Sequence, residues 1–232
     1  MKAKFGAIVV AGSGKIGGHV ASRNRAGAYI RTKVTPVNPQ SSAQTTVRNR
    51  LSGIASGWRA LTAAQRAAWN QAVADFAKTD IFGDLRNPSG FNLYQRLNNN
   101  LLTCGESAIT SPPAVVAVDA FTSITLTAED ATVAEDFSLA INPAVEADHL
   151  VKVYATPPLS PGVNFVSSEY RLIGIMPNSQ SSPWDGTSAY QAVFGSTGEV
   201  GQKIFVKCIQ VEESTGIAGT PISTSTLVIA SS

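Results

Sequence analysis

Gly12-Ser13-Gly14-Lys15-Ile16-Gly17 has the G-x-G-x-x-G spacing that lets a dinucleotide's pyrophosphate approach a helix N-terminus, and it follows the apolar run Ala7 to Ala11. The context that this chemistry needs does not follow. No Asp or Glu stands some twenty residues later to take a ribose, and the crossover helix would have to contain Ser22, Arg23, Asn24, Arg25 and Gly27. No alternating helix and strand pattern comes after it. A Walker A loop is excluded too, because Val9 stands where that loop needs glycine and Ile16 where it needs Ser or Thr. No cofactor is expected.

The other reactive residue types are scattered. The only histidines, His19 and His149, lie far apart in the chain, each read as structural or solvated. The doublets Glu129-Asp130 and Glu135-Asp136 flank a short loop, a weak calcium pattern whose simpler reading is solvated carboxylates. Glu212-Glu213 reads the same way at a hairpin tip. No Ser/His/Asp or Cys/His order stands out, and no metal site or enzymatic activity is expected. Cys104 and Cys208 lack a Cys-x-x-Cys spacing or a nearby histidine, and read as small buried hydrophobes of an intracellularly made protein.

Charge is more informative than any motif. Residues 1–104 carry 14 basic and 3 acidic side chains, a net of +11; residues 105–232 carry 4 basic and 13 acidic, a net of −9. No carboxylate occurs before Asp75. So one-sided a stretch points to contact with a polyanion or an acidic protein surface. No run of 18 apolar residues exists, so no membrane span is expected; the apolar run near the start is too short and glycine-broken for a secretory signal.

The elements that must position these charges fall into three segments, an α+β organisation. Residues 1–40 read as an extended basic docking arm: glycines oppose a helix, and 28–37 (AYIRTKVTPV) alternates like a strand ended by Pro36 and Pro39. An isolated strand cannot bury its apolar face, so it is expected to pair with a later part of the chain or with another chain. Residues 41–105 read as a three-helix module. The first helix runs from Ser42 to about Ala60 with Val47, Leu51, Ile54 and Trp58 on one stripe; Thr62 and Gln65 form a capping box for the second, which carries Trp69, Val73 and Phe76. Ser89 opens the third, with Phe91, Tyr94, Leu97, Leu101 and Leu102 inward and Gly105 as its stop. After a linker at 106–113, residues 114–232 hold seven short strand patterns: 122–128, 137–142, 150–155, 170–176, 190–194, 203–211 and 226–230. That spacing predicts an antiparallel β-sandwich of immunoglobulin or fibronectin architecture, without the Cys…Trp…Cys arrangement of antibody domains.

The motifs Gly14-Lys15-Ile16-Gly17-Gly18, Ser22 through Arg31 (SRNRAGAYIR), Pro36-Val37-Asn38-Pro39-Gln40, Ala43-Gln44 through Arg48, Leu61 through Trp69 and Ser89 through Asn98 occur in that order. In this the first hundred residues resemble a family of uncharacterised proteins of tailed bacteriophages and prophages, many from Bacteroidota. The resemblance implies a virion structural protein with an N-terminal attachment module and a variable β domain, made in the host cytoplasm and located in the virion. Its partners would be capsid, portal or neck, or tail subunits, with self-association into a homo-oligomer.

Arg23, Arg25, Tyr29, Ile30, Arg31, Lys33, Val34, Arg48 and Arg50 are the expected docking residues, with the strand near Tyr29–Val34 adding to a neighbour's sheet. Two other readings stay open. The same arginines would neutralise phosphates in sequence-independent nucleic-acid binding. The β domain would bind a carbohydrate or host receptor through an exposed Trp184 and Tyr190.

Overall fold

The computed structural model describes residues 12–24, 27–130, 136–178 and 182–231. It is a mixed helical and antiparallel-sheet protein of two compact units, one of residues 1–49 and 77–87, the other of residues 50–76 and 88–232.

The first unit contains a three-stranded meander, β1 (Gly14–Ile16), β2 (His19–Asn24) and β3 (Gly27–Thr32), in the order β1-β2-β3. Gly17-Gly18 is a two-residue hairpin loop, and Gly17 takes φ +56°, which favours glycine. The expected lone strand therefore has a partner immediately before it: Tyr29 faces Ser22 and Arg31 faces Val20. It ends at Thr32, two residues short of Val34, although Lys33 N–H still donates to Gly18 C=O at 2.8 Å. The unit also holds a small hairpin, β4 (Lys78–Thr79) and β5 (Leu85–Arg86).

Helix α1 (Ser42–Ala60) runs through the division between the units at Asn49 and Arg50. Its apolar stripe is only half used: Ile54 is buried and Trp58 half-buried, but Val47 and Leu51 are exposed. Helix α2 (Ala63–Gln71) has the expected capping box, Thr62 Oγ1 accepting from Gln65 N–H and Gln65 Oε1 from Thr62 N–H, and continues as a 3₁₀ turn at Ala72–Ala74. Helix α3 (Gly90–Cys104) starts on Ser89, whose Oγ accepts from Asn92 N–H at 3.1 Å, and stops at Gly105. Trp69 is fully buried and meets Tyr94 edge-on at 5.3 Å; Trp58 tilts against Tyr94 and Phe91. Apolar burial and ring geometry hold these helices together.

The chain beyond α3 is clamped to that helix. Buried Asn98 accepts from Ile109 N–H at 2.7 Å and donates to the carbonyls of Tyr94 and Ile109, while Trp69 Nε1 donates to Thr110 C=O at 2.9 Å. The β part holds two antiparallel sheets. One has the order β10-β7-β6, from β6 (Ser123–Glu129), β7 (Asp136–Asn142) and β10 (Trp184–Asp185). The other has the order β12-β11-β8-β9, from β8 (His149–Ala155), β9 (Arg171–Met176), β11 (Lys203–Glu212) and β12 (Ile222–Leu227). Phe137, Leu139, Val151, Val153, Ile204, Val206 and Cys208, contributed by both sheets, share one apolar core. Cys208 acts there as a small hydrophobe, its thiol pushed up to about 12 by burial.

Two sequence expectations need correction. The run at 190–194 is not a strand but the end of helix α4 (Thr187–Phe194), which places Tyr190 in the core, stacked on Phe137 at 4.7 Å. The last strand lies at Ile222–Leu227 rather than 226–230. Helices and sheets of the second unit are joined at one seam: Asn100 Nδ2 donates to Gly216 C=O and its Oδ1 accepts from Lys152 Nζ, both at 2.8 Å, while Ile217 packs on the helical cluster.

Candidate docking surface

The two structural units carry opposite net charges, although Arg50, Arg59, Arg66 and Arg96 of the basic first 104 residues belong to the second. Among the described residues, the first unit has 7 Lys and Arg against 2 Asp, a net of +5; the second has 8 against 13 Asp and Glu, a net of −5. The two acids of the first unit, Asp80 and Asp84, both lie 3.5 Å from the Arg86 guanidinium. Lys15, Arg23, Arg31, Lys33, Arg48 and Lys78 are all exposed.

Strand register sorts the meander into two faces. Lys15, Val20 and Arg31 form one cross-strand row, and Ser22 and Tyr29 continue that face. The other face carries Ile16, His19 and Thr32, then Ala21 and Ile30, then Arg23 and Ala28. Of the sequence-selected docking residues, Tyr29 and Arg31 thus share a cationic face, whereas Ile30 and Arg23 lie opposite. Lys33 and Val34 follow the strand in exposed extended chain, and Arg48 is exposed on α1. Arg25 lies outside the described residues. Arg50 belongs to the second unit, half-buried, and donates to the Thr103 hydroxyl.

Sequence reasoning missed the hairpin at 78–86. Its tip is built around Asp80, whose Oδ1 accepts from Phe82 N–H at 2.8 Å and Asp84 N–H at 3.2 Å, while Gly83 N–H donates to Asp80 C=O. The braced turn presents Ile81 at 75% exposure, beside exposed Phe82 and Leu85. The signal available in sequence was Asp80 and Gly83 flanking two large apolar residues. Across the first unit, Ala21 is the one buried hydrophobic side chain among the described residues, whereas Ile16, Val34, Val37, Ile81, Phe82 and Leu85 are uncovered. Among its described residues this unit therefore exposes more large apolar side chains than it buries.

The acidic β part uses its cations internally. Lys152 is 6% exposed with its amine on Asn100, and burial, assisted by Arg50, lowers its pKa against an opposing pull from Cys104. Lys207 lies over the Tyr170 and Tyr154 rings at 4.4 and 5.2 Å, Lys203 over Phe205 at 5.1 Å, and Arg171 over Phe194 at 5.6 Å. Several carboxylates are used as well. Asp185 caps Thr187, whose hydroxyl and N–H lower the acid's pKa. Burial raises Glu212, but hydrogen bonds from Ser214 and Thr215 outweigh it and hold the group below its ordinary value. Buried Asp130 accepts from Ser231 N–H and hydroxyl. Glu146, Asp148 and Glu213 lie at one end of the four-stranded sheet, beside buried His149: Glu213 N–H donates to Asp148 C=O, and Glu146 Oε2 is 3.4 Å from His149 Nδ1.

None of the reactive patterns in the sequence assembles into a site. Gly14–Ile16 is a strand that turns straight back into β2, so no helix N-terminus follows the glycines. His19 is exposed in the first unit and His149 buried in the second. Glu135 lies outside the described residues. Among the described residues, no three His, Cys, Asp or Glu side chains are grouped to hold a metal ion, and no helix is long and apolar enough to cross a membrane. Tyr190 is fully buried, its hydroxyl on Thr156 C=O at 2.8 Å, and Trp184 lines an apolar cavity of about 10 Å³, room for about one water molecule. Tyr190 therefore presents no ring face to a sugar. Compared with protein-family models, curated proteins and solved structures, this chain matches none.

Proposed function

We propose that this chain is a structural component of a tailed-phage virion, attached to neighbouring subunits by its cationic first unit and displaying its acidic β part. Its two facing sheets are read as a sandwich of immunoglobulin or fibronectin type, because residues of both sheets fill one core. The observation that carries the docking reading is that the two structural units differ in the sign of their net charge. Within the net +5 unit Ile81, Phe82, Val34 and Val37 are exposed. Exposed apolar side chains in a unit of net positive charge suit an acidic protein surface, and the resemblance of the ordered motifs to tailed-phage proteins suggests the setting. The docking element is the meander and hairpin; β3 is the last strand of the meander and pairs with β2 along one edge. Deleting residues 2–35, or replacing both Ile81 and Phe82 by Ser, is expected to remove the protein from purified virions by mass spectrometry while leaving it soluble in the host. Normal incorporation of both variants refutes the reading.

One observation favours a second reading. Lys15, Arg31 and Tyr29 share a face of the meander, an arrangement suited to a sugar-phosphate backbone. In that case the full chain would bind duplex DNA at low salt, with affinity falling linearly on a log–log salt plot.

A further inference from the structure

We infer that the second unit carries a binding site for a doubly charged oxyanion of phosphate or sulfate type, where Arg50, Lys152 and Lys207 meet helix α3. The inference goes beyond the docking reading and stands apart from it, since all these residues belong to the second unit. Three elements gather the cations onto α3. On that helix, Asn100, Thr103 and Cys104 are three and four residues apart and so share one stripe. Lys152 Nζ donates to Asn100 Oδ1 at 2.8 Å, and the Arg50 guanidinium, from α1, donates to the Thr103 hydroxyl. Tyr154 follows Lys152 on the same face of β8. Lys207 of β11 stands opposite Tyr154, its amine 5.2 Å from the centre of that ring.

These contacts hold the cations in place and neutralise none of them. Asn100, the Thr103 hydroxyl and the Tyr154 and Tyr170 rings are uncharged, and among the described residues no carboxylate lies within 4.0 Å of the three cations. Acids are not scarce in this unit, which has 13 Asp and Glu against 8 Lys and Arg. Lys152 is 6% exposed, and an ammonium held by one amide oxygen keeps two of its three donors for another acceptor. Burying a charge without a counter-ion is costly, and a bound anion relieves that cost. The neighbouring titratable groups do not supply the missing charge. Burial, with help from Glu106, raises the Cys104 pKa against the pull of Lys152 and Arg50; burial and Cys104 raise that of Tyr154 against Arg50. Both groups are therefore neutral at ordinary pH and can donate. Arg50, Thr103, Cys104, Tyr154 and Lys207 are half-buried, so an ion reaches them from solvent. Three cations, one with a planar fork, favour a dianion with several oxygens over a singly charged ion.

Isothermal titration calorimetry of the full chain, at about pH 7.5 and constant ionic strength, tests this with sodium sulfate and sodium phosphate as probes and sodium acetate as the singly charged control. Sulfate and phosphate bind saturably at one site per chain, and acetate binds at least about tenfold more weakly. Arg50→Gln and Lys152→Met each weaken sulfate binding at least about tenfold. Lys203→Gln, whose amine lies over Phe205 further along β11, changes it less than about twofold. Glu106→Gln tightens binding, because it removes a carboxylate that acts on Cys104 beside the site. Glucose 6-phosphate binds tighter than inorganic phosphate if the group is carried on a sugar, and no tighter if the ligand is the free ion. Circular dichroism verifies that each variant is folded; a buried charge replaced by an apolar chain of similar volume is commonly tolerated. The inference is overturned if neither probe saturates, if acetate binds as well, if the folded Arg50→Gln and Lys152→Met variants bind like the wild type, or if Lys203→Gln loses as much as they do.

Discussion

Gly216→Ala tests how tightly the helices and sheets of the second unit are joined. Gly216 has φ +72°, in the left-handed region, where a side chain costs about 1–2 kcal/mol. A methyl group there would also stand 2.4 Å from Leu97 C=O and 2.9 Å from Leu101 Cγ. The first neighbour is helical backbone that cannot swing aside, so the crowding adds about 1–3 kcal/mol. The expected loss is about 2–5 kcal/mol, a large part of the 5–15 kcal/mol that holds typical domains folded. Gly105→Ala separates the two contributions: Gly105 has φ +91° but nothing within 4 Å of its missing side chain, so only the backbone cost of about 1–2 kcal/mol applies. Urea unfolding followed by tryptophan fluorescence and by circular dichroism gives both free energies, and coincident transitions by the two probes show that helices and sheets unfold together. A Gly216→Ala variant no less stable than Gly105→Ala would refute the close approach of the 212–217 turn to α3.

Asn98→Ala removes an acceptor and donor from the fully buried clamp around Ile109, and should cost about 3 kcal/mol in urea unfolding; less than 1 kcal/mol would mean the clamp contributes little. Cys208 supplies a pH test. Its folded value of about 12 lies above the ordinary 9.0, so its contribution is complete below pH 9 and is lost as pH rises through 12. Between pH 8 and pH 11 the wild type should lose about 3 kcal/mol more stability than Cys208→Ala. Equal losses in the two proteins would contradict the deep burial of that thiol.

The sequence made its local punctuation legible. Thr62 with Gln65, Ser89 and Gly105 lie within a turn of the helix ends they govern, so the start of α2 and both ends of α3 are legible to within a residue or two, whereas the expected stripe to Phe76 runs past the end of α2 at Gln71. The strands of the β part were legible wherever one face is buried and alternation survives, as in β6 and β7. Helix α4 was misread because Tyr190, Val193 and Phe194 are good strand formers; the contrary signal was Asp185 ahead of Thr187, with Tyr190 and Phe194 four residues apart. Val47 and Leu51 fit a helical stripe perfectly well, but periodicity says nothing about whether a partner exists for each turn. The hairpin braced by Asp80 is local and had its signal in Asp80 and Gly83, whereas the seam at Asn100, Lys152 and Gly216 depends on contacts distant in the chain, which no window of residues contains. The charge division at residue 104 was visible by counting, but the division into structural units was not, because it falls within α1 and the segment 77–87 returns to the first unit after α2.

Parking the lysines and arginine of the β part against rings and an amide has a consequence for how that part meets digestive enzymes. A trypsin-like protease must draw a basic side chain and several residues of extended backbone into its cleft. Lys207 lies mid-strand beneath two tyrosines and Lys152 lies buried mid-strand, so neither is easily drawn out. Lys33, by contrast, sits in exposed, extended chain. Such an enzyme would cut at Lys33 well before it reached Lys152 or Lys207.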